Sequence, residues 1–129
     1  MSDSFRDALF DPAGRERAAG RLTAERAGAN EQIAALSREF DQIVEANALV
    51  AVDDEHDPEG SSTAFERAHV AALLVRARSR LDDVDRALER LDRGEYGRCE
   101  RCGEPIPAER LEVRPAASTC VTCAGTGPR

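Results

Sequence analysis

The stretch VAALLVRARSRLDDVDRALERL, residues 70–91, decides the fold. Its apolar positions Val70, Leu74, Ala77, Leu81, Val84, Leu88 and Leu91 are spaced alternately by four and three. That alternation is a heptad seam, narrower than the apolar stripe of an ordinary globular helix. Upstream, Ile33, Leu36, Phe40, Ile43, Asn47 and Val50 repeat the pattern, and neither Pro nor Gly interrupts residues 31–57 or 61–93. Two seams joined by a short segment predict an antiparallel helical hairpin. A helix of about 28 residues would run about 42 Å. A plain coiled-coil spacer, or a seam that dimerises, fits the periodicity equally well.

The ends of the second run carry stop and start signals. Thr63 and Glu66 are spaced as a capping box, which places a helix start at Thr63. Gly94 marks its stop, and Arg90 and Arg93 suit the negative end of the helix dipole. Between the runs lie Asp53, Asp54, Glu55, Asp57 and Glu59 without a single Arg. They account for over half of a net charge of -7. Such crowding costs stability through mutual repulsion. A solvated loop, a divalent-cation site and an acidic probe for a basic or metal-bearing partner are the readings open to it. An EF-hand is excluded, because the sixth position counted from Asp53 is Pro58 where that loop needs Gly. His56 and His69 read as solvated.

Composition limits what surrounds the hairpin. With 129 residues, 33% charged, 4% aromatic and no Trp, the chain cannot fill a large globular core. No apolar stretch has the length of a membrane span, and the N-terminus lacks a signal-peptide layout, so a cytoplasmic location is expected. Phe5 and Leu9 share a helical face that Pro12 interrupts, which suggests a short helix folding back within residues 1–22.

The four cysteines, Cys99, Cys102, Cys120 and Cys123, follow the spacing C-x2-C-x17-C-x2-C. In a reducing compartment such clusters bind metal rather than form disulfides. A two-residue gap lets both sulfurs of a knuckle reach one ion, and two knuckles complete the tetrahedron that Zn²⁺ takes. Four protein ligands leave no open position, so the zinc is structural rather than catalytic. Gly103, directly after Cys102, can take the positive φ that turns the backbone and aims N–H groups at the thiolates. A thiol oxidoreductase is the rival reading, but the flanking βαβ pattern is missing. DNA recognition is also disfavoured: five Arg and five Glu balance over residues 94–129, where phosphate binding needs a positive face.

The finger then shows a longer pattern. Gly94-Glu-Tyr96-Gly97-Arg-Cys99-Glu-Arg-Cys102-Gly103-Glu-Pro-Ile106-Pro-Ala-Glu-Arg110-Leu111, followed by Pro115, Cys120 and Cys123, resembles the signature of the DksA/TraR family. With the upstream hairpin the resemblance spans roughly residues 23–125. It implies a bacterial transcription regulator, not an enzyme, that binds core RNA polymerase directly without DNA. It implies further that the coiled-coil tip enters the secondary channel and modulates initiation. The family tip carries two aspartates near the catalytic Mg²⁺ region, and Asp54 and Asp57 match them, with Glu59 where the family has Ala. Of three basic positions that meet guanosine tetraphosphate in the family, Arg76 matches one, while Asp83 and Ala124 stand at the others. Synergy with that nucleotide is therefore expected to be weak or absent.

The expected architecture is mainly α, a long antiparallel helical coiled-coil hairpin with a small C-terminal zinc finger of four cysteines. It divides into an N-terminal segment 1–22, a hairpin 23–93 with its acidic tip at 53–62, a finger 94–125 and a tail 126–129. A monomer is expected from an intramolecular hairpin, with a zinc-stabilised coiled-coil adaptor as the alternative function.

Overall fold

Proline at the first position of a helix loses nothing, because its missing N–H would have had no intrahelical partner there. Both long helices begin that way. In the computed structural model, which describes residues 11–50 and 58–125, helix α1 runs Pro12–Val50 and helix α2 runs Pro58–Asp92. The Asp11 carbonyl accepts the first α1 bond from the Arg15 N–H at 2.9 Å. Two short helices follow, α3 at Ala108–Val113 and α4 at Val121–Gly125. No strand occurs among the described residues; Arg98 and Pro105 form an isolated antiparallel bridge. The fold is mainly α, with a hairpin of two long helices and a C-terminal cysteine cluster.

Two details differ from the sequence reading. Residues 12–22 are the first turns of α1 rather than a separate short helix, because Pro12 opens a helix instead of breaking one. Thr63 lies inside α2 and does not cap it, since α2 begins at Pro58. Asp54, Asp57 and His56, along with Phe5, Leu9 and the tail, lie outside the described residues.

The helices contribute to two compact units. In the unit of residues 28–80, Leu36 and Ile43 of α1 share a buried cluster with Val70, Leu74 and Ala77 of α2. Ile33, Phe40 and Leu73 cover it. The seam positions read from sequence thus face each other here, low numbers on α1 against high numbers on α2, as antiparallel helices require. Arg80 reaches across to Gln32 at 3.3 Å. Each buried leucine contributes roughly 1.5–3 kcal/mol by leaving water.

The other unit comprises residues up to Ala27 together with Leu81–Arg129. Its core joins Ala18 and Leu22 of α1, Val84, Ala87 and Leu91 of α2, and Tyr96, Cys99, Ile106 and Leu111 of the finger. Arg26 pairs with Asp85 at 3.1 Å on the exposed flank. Here Ala87 is buried and Leu88 only partly so. The apolar stripe widens beyond a strict seam because α2 packs against the finger as well as against α1.

Candidate metal centre

The finger begins where α2 stops. Gly94, at φ 74°, sits just past the helix end. Its N–H donates to the Leu91 carbonyl at 3.1 Å, and the Glu95 N–H donates to the Arg90 carbonyl at 2.8 Å. This crossed pair is a Schellman motif, and it needs a residue that tolerates positive φ. The chain then turns again at Gly97, φ 88°.

The first knuckle follows. The Cys99 N–H donates to the Glu104 carbonyl at 2.8 Å, and the Gly103 N–H donates to the Cys99 carbonyl at 2.9 Å. Gly103 has φ 78°, the positive value expected of it. The turn directs N–H groups at sulfur: Cys102 and Arg101 of this knuckle, with Cys120 of the other, point theirs at Cys99, and Glu104 points its N–H at Cys102. The second knuckle opens α4, whose first bond runs from the Ala124 N–H to the Cys120 carbonyl at 2.9 Å. The two knuckles are tied together by the Glu100 N–H on the Ser118 carbonyl, 2.9 Å, and by the Arg101 guanidinium on the Cys123 carbonyl, 2.9 Å.

All four sulfurs lie within 4.8 Å of one another. Cys102 and Cys120 are 3.8 Å apart at Sγ. A tetrahedron with Zn–S bonds near 2.3 Å has edges of about 3.8 Å. The donor set therefore fits one Zn²⁺ bound by Cys99, Cys102, Cys120 and Cys123, with no vertex left for water or substrate. As thiols, Cys99 and Cys123 hold their protons unequally. Burial pushes Cys99 up, but the N–H groups from Cys102, Cys120 and Arg101 prevail and bring it down to about 6. The Cys120 thiol bonded to Cys123, aided by burial, pushes Cys123 up to about 12. Metal binding by thiols releases protons, and the Cys99 thiol would give its proton up the more readily of the two.

The sequence alone assigns no role at this centre to several residues that hold it. Tyr96 is buried and its hydroxyl donates to the Pro115 carbonyl at 2.7 Å. Arg110 donates through Nε to the Thr119 carbonyl at 2.9 Å, next to Cys120. On the exposed surface, apart from the bonds that hold this centre, Arg86 grips both oxygens of the Glu100 side chain, at 3.1 and 2.9 Å. Arg90, read from sequence only as a cation near a helix end, is buried and donates to the carbonyls of Glu95 and Arg98. Of these, the partners of Tyr96, Arg110 and Arg90 are main-chain oxygens, which every residue offers and no sequence pattern marks.

The remaining site residues are placed as follows. Glu59 falls in the first turn of α2, Arg76 is an exposed residue of α2, and His69 is exposed. Asp83 and Ala124 belong to the unit that contains the cysteines. Among the described residues, no helix is long and apolar enough to cross a membrane.

Comparison with known proteins adds to this geometry. Residues 94–126 match the family described as the prokaryotic dksA/traR C4-type zinc finger. A Caulobacter vibrioides protein named RNA polymerase-binding transcription factor DksA is 41% identical over 61 residues, 47% of this chain and 43% of that one. The uncharacterized protein YteA of Bacillus subtilis is 38% identical over 66 residues, 51% of this chain and 28% of that one. The chain thus spans less than half the length of these curated relatives. The structure of transcription factor DksA2 from Pseudomonas aeruginosa superposes with a TM-score of 0.75 at 29% identity, covering 93% of this chain and 87% of that one. Residues 94–126 carry the signature of the dksA/traR C4-type zinc finger and the helices share the fold of DksA2, and together these likenesses support a protein of the DksA/TraR family.

Proposed function

We propose that this protein is a transcription regulator that binds RNA polymerase directly. In this reading the segment joining α1 and α2 enters the secondary channel and modulates initiation. The observation that carries the reading is the fold shared with DksA2 across 93% of the chain. The relative named as an RNA polymerase-binding factor supports it.

Asp54 and Asp57 act at the tip, with Glu59 beside them, and the finger anchors the protein through its zinc-stabilised core. The chain performs no catalysis of its own, and the closed thiolate set accords with that. The balanced charge of residues 94–129 supports contact with protein rather than DNA. Burial of Leu36, Ile43, Val70 and Leu74 within one chain supports a monomer, because the seam is already used. Guanosine tetraphosphate adds little, since Arg76 stands alone where the family has three basic contacts.

The test removes charge without changing size. Asp54→Asn with Asp57→Asn relieves repulsion at the tip, so thermal stability should hold or rise slightly. Affinity for core polymerase should change little, while the effect on multi-round transcription from a sensitive promoter should be lost. A double variant that regulates as well as wild type would overturn the tip mechanism.

A further inference from the structure

We propose that Arg90 is a positioning residue for the metal, holding the peptide plane that delivers Cys99 to the site. Arg90 is 8% exposed, the buried charged side chain among the described residues. An arginine is buried only when its donors are satisfied, and main-chain carbonyls satisfy this one. Its guanidinium donates to the Glu95 carbonyl at 3.1 Å and to the Arg98 carbonyl. The Arg98 carbonyl and the Cys99 N–H belong to the same peptide unit. Arg90 holds that unit by its oxygen, and the Glu104 carbonyl holds it by its N–H at 2.8 Å. With the Cys99 carbonyl held in turn by the Gly103 N–H at 2.9 Å, the peptide units on both sides of Cys99 are fixed and its Cα–Cβ bond keeps its direction.

The grip is also anchored. The Arg90 main-chain carbonyl accepts the Glu95 N–H within the Schellman turn, while its side chain donates to the Glu95 carbonyl. Residues 95–98 are thereby closed onto the last turn of α2, and the metal site inherits the position of that helix end. Groups beyond the ligands that orient them commonly matter 10- to 100-fold, in order of magnitude, for metal affinity. Arg86 provides a contrast within the same helix. It grips the Glu100 side chain on the exposed surface and touches no peptide of a ligand.

The experiment uses the full chain in three variants: Arg90→Met, Arg90→Lys and Arg86→Gln. Zinc release to a colorimetric chelator is timed below the melting transition, with helical circular dichroism recorded in parallel. The Co²⁺-substituted proteins report ligand geometry through their d–d absorption. Arg90→Met should release zinc roughly 10- to 100-fold faster at unchanged helicity, with altered Co²⁺ bands. Arg90→Lys keeps the charge but lacks the planar fork, so its release should be intermediate. Arg86→Gln should match wild type. Zinc release by Arg90→Met at the wild-type rate would overturn the proposal. So would acceleration that only tracks lost helicity, or wild-type release by Arg90→Lys, which would assign the effect to charge. Should Arg90→Met fail to fold, Arg90→Lys decides on the same terms.

Discussion

At the scale of single residues, Tyr96 supports the centre from outside its set of sulfurs. Its ring fills the core shared by Leu22, Val84 and Ile106, and its hydroxyl satisfies the Pro115 carbonyl. Tyr96→Phe keeps the ring and orphans that carbonyl, which should cost about 1 kcal/mol in a denaturant melt. Burial raises the Tyr96 pKa above its ordinary value of 10.0, an effect that Arg21 only partly offsets. The folded chain therefore holds the proton more tightly than the unfolded one. Once pH rises past 10.0 the unfolded chain loses this proton first, so stability is full below that value and falls above it. Melting temperatures of Tyr96→Phe should fall less steeply than wild type over that alkaline range. The cysteines are legible in the sequence because a tetrahedral ion constrains their spacing. The roles of Tyr96 and Arg90 are not, because a bond to a main-chain oxygen leaves no trace in spacing.

At the scale of elements, the seam is legible where its residues are large. Leu36, Ile43, Val70 and Leu74 announce the helix pair, and they pack as their spacing requires. The early turns of α1 are silent in the sequence because their buried positions include Gly14, Ala18 and Ala29, which add little to any apolar pattern. The start of α2 differs from Thr63 because a capping-box pair is also compatible with a helix interior, and Pro58 supplies an earlier start. Glycine has opposite consequences at two points. Gly20 lies on α1 with nothing within 4 Å of an added Cβ, so Gly20→Ala should raise stability by about 0.5–1 kcal/mol. Gly94 holds φ 74° in the turn that starts the finger, so Gly94→Ala should lower it by about 1 kcal/mol. Paired thermal melts of the two variants would check the signs, and shifts in the same direction would contradict this account.

At the scale of the whole molecule, the two buried cores draw on separate sets of residues. One contains Cys99 among its apolar members, and the other contains only residues of α1 and α2. Metal binding free energy in such a small finger is folding free energy. Freshly reduced protein should carry one zinc per chain by elemental analysis. Chelation should then strip hydrogen-exchange protection from residues 81–113 and from the first turns of α1 well before it affects 28–80. Uniform loss across both ranges would refute the separation. The same separation bears on how such chains diverge. One heptad added to each long helix within 28–80 preserves the register of the seam, since every added repeat returns the same face. It leaves the ligands, the Schellman turn and the grip of Arg90 as they were. Helix length can therefore drift in whole repeats across a lineage while the metal chemistry stays fixed, two characters of one chain open to selection separately.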